Sequence, residues 1–234
     1  MGQKVNPTGF RTGITEDWKS KWYAPKVAYG TFLTEDYKLR KYVDEKLNRR
    51  PPFAGISDIL IERTREELTV TLKTARPGLV IGPKGAEVDK LREELEDLIG
   101  RKVAPIKVIE VKNPDLNAQL VAEAIAEQLK KRASFRRVMK MRMDSSMQAG
   151  AKGIRISISG RLGGAEIART EKATVGSVPL TTLQADVNYG YAIAKTTYGT
   201  IGIKVWIYRG MYGDANQALE TDVRPGGALR RGRR

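Results

Sequence analysis

The run Arg76-Pro77-Gly78-Leu79-Val80-Ile81-Gly82-Pro83-Lys84-Gly85-Ala86-Glu87 constrains this chain more than any other stretch. Within it, Gly82 and Gly85 let the backbone turn sharply and come close to another polymer's backbone. Apolar Leu79-Val80-Ile81 lead into the turn. After it, Val88, Leu91, Leu95, Leu98 and Ile99 fall on one helical stripe, closed by Gly100. The spacing predicts a short helix over 77–81, a tight loop over Gly82, Pro83, Lys84 and Gly85, and a longer helix ending at Ile99.

A GxxG loop between two helical segments is the element with which KH domains clamp single-stranded nucleic acid. A GxxG also arises by chance as a plain tight turn, so its surroundings decide its weight. A helix is expected from Thr34, a good N-cap, with Leu39, Tyr42, Val43 and Leu47 on one face and Pro51-Pro52 stopping it. Two strands follow near 59–61 and 68–72, and another near 106–111. Helix, strand, strand, short helix, loop, helix, strand predicts a sheet covered by helices, an α+β domain. In the functional reading, the backbone amides and Lys84 approach phosphates. The next helix carries Glu87, Asp89, Glu93, Glu94, Glu96 and Asp97, which repel phosphate. Those acids are expected on a solvated face turned from RNA, or facing basic protein.

Asn113-Pro114-Asp115 reads as a second start, an N-cap followed by proline at the first helical position. Val121, Ile125 and Leu129 stripe that helix, and another begins after Ser134. Beyond Gly150 strands dominate: Ile154, Ile156 and Ile158 alternate with polar residues, as do Ile201, Ile203, Val205 and Ile207. The prediction is an arm over 1–16, a first α+β domain over 17–112, a second over 113–212, and a flexible basic tail over 213–234. The second domain should hold two helices and a mostly antiparallel sheet. The arm is expected to be irregular and anchored by Trp18, Trp22 and Tyr23.

Charge selects the class of partner. The 234 residues carry a formal net charge of +15, which points to a polyanion and most simply to nucleic acid. From Lys130 to Arg142 there are seven cations and no acid. Arg136 and Lys140 lie one helical turn apart, and Arg132 continues the row if the helix is unbroken. Phe135, Met139, Met143 and Met147 make an adjacent apolar row that should be core. Cations on a rigid helix can oppose a phosphate backbone at fixed spacing without reading sequence. Arg132, Arg136, Arg137, Lys140 and Arg142 are therefore the main candidate RNA contacts. Arg161 and Arg169 flank a glycine loop that is either structural or RNA-facing. Arg230 and Arg231 lie in a tail rich in arginine that needs a counter-charge. Trp206 and Tyr208, beside Lys204 and Arg209, either stack bases or pack against the protein, and packing is the expectation.

Other classes lose ground on composition. With no His and no Cys, imidazole catalysis, thiolate metal sites and disulfides are impossible. Neither a Walker A sequence nor a dinucleotide fingerprint occurs, and no clustered acidic ligand motif is evident. A binder without cofactor, metal or small-molecule substrate is predicted, not an enzyme. No apolar run approaches the roughly 20 residues of a membrane-spanning helix, and Asn6 stands where a myristoylation site needs Ser or Thr. No membrane partner is expected, and the absence of Cys fits the cytosol.

Met1-Gly2-Gln3-Lys4-Val5-Asn6-Pro7-Thr8-Gly9-Phe10-Arg11 resembles the start of the bacterial small-subunit ribosomal protein S-three family. So do residues 74–82, 161–170 and 196–207, in order and without large gaps. The resemblance implies a type II KH domain followed by a family-specific α+β domain. It implies a cytoplasmic ribosomal protein that binds ribosomal RNA in the head of the small subunit and lines the messenger RNA entrance channel, binding messenger RNA, beside small-subunit proteins S-ten and S-fourteen. The family's Phe-Arg-Arg-x-Met-Lys motif falls on Phe135-Arg136-Arg137-Val138-Met139-Lys140 and implies support of messenger unwinding by Arg136, Arg137 and Lys140. Asn6 and Thr182 depart from a usual His, and Gln184 from a common Arg.

Overall fold

The computed structural model describes residues 4–49, 53–64 and 67–212. Two α+β units form, each built on a four-stranded sheet. The first runs α1 (Pro7–Arg11), β1 (Ser20–Lys21), α2 (Lys26–Val43), β2 (Ile56–Arg63), β3 (Leu68–Thr74), α3 (Pro77–Ile81), α4 (Ala86–Ile99) and β4 (Lys107–Glu110). Its sheet order is β1-β2-β3-β4, antiparallel only between β2 and β3. From α2 onward the order is the one expected of a type II KH domain.

Strict alternation builds this sheet. Leu68, Val70 and Leu72 of β3 point inward while Thr69, Thr71 and Lys73 face out. Leu39 and Val43 of α2 and Leu91 and Leu95 of α4 close over them. Each such side chain contributes roughly 1.5–3 kcal/mol by leaving water. A polar network fixes the entry of the chain into this unit. Asp36, almost fully buried, accepts from Trp22 Nε1 at 2.8 Å and Ser20 Oγ at 3.0 Å, and pairs with Arg63.

Some boundaries differ from those predicted. Helix α2 begins at Lys26 behind Pro25, not at Thr34. Thr34 lies inside it, and its hydroxyl donates to the Thr31 carbonyl at 2.8 Å. One π turn, Asp44–Asn48, carries the helix on toward Arg49. Of the three aromatics expected to anchor the arm, only Trp22 is enclosed, against Tyr29 and Phe32; Trp18 and Tyr23 are exposed.

The second unit contains α5 (Ala118–Lys130), α6 (Phe135–Gln148), β5 (Gly153–Gly160), β6 (Arg169–Gly176), β7 (Ala185–Thr196) and β8 (Gly199–Met211). All pairings are antiparallel, in the order β6-β5-β8-β7. Ile154, Ile156 and Ile158 join Ile203, Val205 and Ile207 beneath α5 and α6. Helix and sheet meet closely at Gly190, where a Cβ would stand 2.2 Å from the Ala118 carbonyl oxygen. Asn113 opens only a 3₁₀ turn, and Asn117 caps α5 instead, accepting from Gln119 N at 3.0 Å and Leu120 N at 3.4 Å.

The predicted arm over 1–16 is partly helical and docks on the second unit. Asn6 Oδ1 caps α1 through Thr8 N at 2.9 Å and Gly9 N at 3.4 Å. Arg11 is fully buried, and its guanidinium reaches the carbonyls of Pro7, Pro179, Leu180, Thr182 and Ala185.

Candidate nucleic-acid interface

Two loops carry unusual backbone. Gly82 has φ 69° and ψ −178°, a region open in practice only to glycine. A Cβ there would stand 2.5 Å from Glu87 Cγ. Pro83–Gly85 then forms a 3₁₀ turn, with Lys84 at φ 55° and Gly85 at φ 84°. Lys84 is exposed on its crest, and Leu79 and Ile81 are exposed just before it. An apolar approach, a cation and a bare turn therefore lie side by side, as the functional reading requires.

The acids of α4 divide. Glu94 accepts from Tyr42 Oη at 2.6 Å and pairs with Lys46; burial pushes its carboxyl up, but the Lys46 and Tyr42 contacts together hold it below its ordinary value. Glu96 accepts from Val103 N at 3.0 Å. Both bind the domain to itself. Glu87 is not turned from the loop, since it lies against Gly82.

The second loop joins α5 to α6. The row from Arg132 to Lys140 is broken, because Arg132 adopts φ 59° and ends α5. Ala133 N donates to Gln128 O at 3.1 Å, the six-to-one bond of a Schellman closure, with Arg132 at the position usually given to glycine. Among the described residues, Lys84 and Arg132 are the non-glycine residues with positive φ. Left-handed backbone costs a side-chain-bearing residue about 1–2 kcal/mol. Both strained positions are cations in the loops singled out for RNA.

Helix α6 then divides its faces cleanly. Val138, Met139 and Met143 are buried while Arg136, Arg137 and Lys140 are exposed. None of these three cations, nor Arg132, forms an ion pair among the described residues. Asp144 is the acid one turn beyond Lys140, and with Arg137, Lys140 and Gln148 it borders a shallow depression. Phe135 and Met147 pack against the core, completing the expected apolar row.

The remaining candidates separate. Arg142 turns inward, with Nη1 3.6 Å from Asp115 Oδ1, so it does not join the exposed set. Arg161 is held by its own loop and by the β7–β8 turn, donating from Nε to Ala165 O at 2.8 Å and from Nη1 to Tyr198 O at 3.1 Å. Arg169 does join. Its guanidinium and that of Arg136 lie 5.9 and 5.6 Å from the centroid of Phe135, which joins the start of β6 to the start of α6. It also lies 3.5 Å from Glu171. Arg230 and Arg231 fall outside the described residues.

A family model described as a KH domain matches residues 38–116, and one described as ribosomal protein S3, C-terminal domain, matches residues 125–207. Curated relatives match this chain over nearly its whole length. A small ribosomal subunit protein uS3 from Pelotomaculum thermopropionicum is 54% identical over 97% of this chain and 96% of its own length. The chain belongs to the ribosomal protein S3 family. Small ribosomal subunit proteins uS3 from Rhodopirellula baltica, at 52% identity over 95% of this chain and 94% of the relative, and from Desulfitobacterium hafniense, at 54% over 95% and 99%, agree. As an S3-family member the chain is a structural component of the small ribosomal subunit and not an enzyme. Among its described residues no helix is long and apolar enough to cross a membrane.

Within this S3 chain, two of the departures from the family pattern fall at the Arg11 clasp. Asn6 caps α1, and Thr182 offers its backbone carbonyl to Arg11 Nη2 at 2.8 Å, which any residue could do. Gln184 likewise uses its backbone, accepting from Tyr212 N at 2.8 Å. Sequence reasoning missed the clasp itself.

Proposed function

We propose that this chain binds ribosomal RNA in the head of the small subunit and presents α6 to messenger RNA at the entrance channel. The observation that carries this reading is the trio Arg136, Arg137 and Lys140, exposed and without ion-pair partners among the described residues, on a helix anchored from behind by Val138, Met139 and Met143. Rigid cations take up phosphates of a passing strand at fixed positions, and counterion release supplies the free energy. They hold the strand without reading its sequence. As the ribosome draws the messenger inward, a held single strand disfavours re-pairing of the hairpin ahead, and no bond is made or broken. Arg132 and Arg169 extend the ridge at either side of the start of α6. The GxxG loop serves ribosomal RNA, with Lys84 on phosphate. Small-subunit proteins S-ten and S-fourteen are the neighbours implied by the family resemblance, in the cytoplasm.

Ribosomes carrying Arg136→Ala, Arg137→Ala and Lys140→Ala together test the reading. Translation through stable messenger hairpins should slow, while unstructured messengers are read at the parent rate. Equal slowing on both overturns the unwinding role.

A further inference from the structure

Among the described residues, the second sheet carries its helices on one face only. In register across the other face stand Thr174, Arg155, Trp206 and Tyr189, and in the next row Lys172, Ser157, Lys204 and Tyr191. Ile193 and Lys195 continue the face along β7. No carboxylate stands in these rows. Lys172, Lys195 and Lys204 are exposed, and neither they nor Arg155 forms an ion pair among the described residues. Tyr191 and Ile193 are 45% and 49% exposed.

The aromatic part is ordered. Trp206 and Tyr189 have ring centroids 5.5 Å apart, and the Arg155 guanidinium lies 5.3 Å from the Trp206 centroid. Tyr208, one pair further along β8, is closed beneath Val178 and Leu180 and takes no part. The expectation that Trp206 and Tyr208 pack against the protein holds fully for Tyr208 and in part for Trp206, which is half-buried against the same cluster. Trp206 packs beside its neighbours on the sheet at the margin of the open area.

We propose that this open face is a second RNA surface, a platform on which unpaired bases stack, with the strand's phosphates on Lys172, Lys204 and Lys195. Aromatic rings accept any base on their faces, and cations between them track the backbone. Tyr191 and Lys204 are directly paired across β7 and β8, so one nucleotide can meet a ring and a cation together. A protein partner fits less well, because it would have to bring a matching carboxylate to each of four cations, whereas RNA carries a phosphate at every nucleotide. The platform lies on the opposite side of the sheet from α6 and is independent of the messenger reading above.

The test uses the full chain bearing Arg136→Ala, Arg137→Ala and Lys140→Ala, so that the centre of the α6 ridge is removed. An oligouridine carrying 4-thiouridine is photocrosslinked and the attached peptides are mapped. Crosslinks on Tyr189, Tyr191 or Trp206 are expected. Adding Tyr191→Ala with Lys204→Ala should weaken binding about tenfold, in the range that loss of one stacked base produces. Both side chains are exposed, and the mapping on the chain without them substituted does not depend on how that variant folds. Crosslinks confined to other elements, or affinity within twofold of the background, would overturn the proposal. So would assembled small subunits in which this face crosslinks to protein and not to RNA.

Discussion

Arg11 Nε donates to the backbone carbonyl of Ala185 at 2.8 Å, joining residues 174 positions apart. The cation is buried with carbonyl oxygens as its acceptors, and Nη2 meets Thr182 O at 2.8 Å. A few residues later Ser20 and Lys21 form β1 on the first unit's sheet, while Arg11 sits in the second. One short arm thus holds both units.

Arg11→Ala should lower stability by roughly 3–5 kcal/mol, since it removes two short charge-assisted hydrogen bonds and leaves buried carbonyls without a donor. Urea unfolding measures the loss, and limited proteolysis should cut the released arm first. An unchanged unfolding midpoint would show that the clasp is not needed.

Arg132→Gly separates stability from function. Glycine accepts φ 59° freely, so the substitution should stabilise the chain by about 1 kcal/mol. RNA affinity should fall several-fold at the same time, as a phosphate contact is lost. Thermal unfolding and filter binding read the two effects. A loss of stability would mean that the arginine contributes contacts worth more than the backbone strain.

The two loop glycines should differ. Gly85→Ala meets open space and pays only for left-handed backbone, about 1 kcal/mol. Gly82→Ala adds a Cβ 2.5 Å from Glu87 Cγ in a conformation alanine avoids, and should cost clearly more. Denaturant melts of both variants test the order, and equal costs would show that Glu87 moves aside freely.

Glu123 gives stability a pH dependence. Burial, opposed by the Gln119 hydrogen bond and aided by Asp44, pushes its carboxyl up from 4.5 to about 7. Between those values the folded chain holds a proton that the unfolded chain has lost. Stability from this site therefore falls as pH rises through that window and is flat above it. Glu123→Gln should be near neutral at pH 4 and stabilising at pH 8 by roughly 3 kcal/mol, taking about 1.4 kcal/mol per pH unit. A gain independent of pH would contradict the assignment.

The fold was legible where one periodicity acted alone. Leu68, Val70 and Leu72, or Ile154, Ile156 and Ile158, announce half-buried strands, and Leu91 with Leu95 announces a helix face. Boundaries failed where two signals competed. Pro114 makes Asn113 read as the helix start, yet it is Asn117, four residues on, whose side chain accepts from the free amides of α5. The start of α2 was hidden because Val27 and Leu33 are exposed and leave no apolar stripe. Strand β6 was hidden because it is a largely exposed edge without clean alternation. In the site, the α6 ridge was readable from uncompensated charge. The break at Arg132 was not, because an arginine stands where glycine would have marked it. The withdrawal of Arg142 and Arg161 depends on partners distant in sequence, Asp115 and Tyr198.

The salt dependence of RNA binding tests the account most directly. For single-stranded RNA the logarithm of affinity falls with the logarithm of salt concentration by about 0.7 per phosphate contacted. Arg136→Ala, Arg137→Ala and Lys140→Ala together should make that slope shallower by about 2. An unchanged slope would mean that these cations do not meet phosphate.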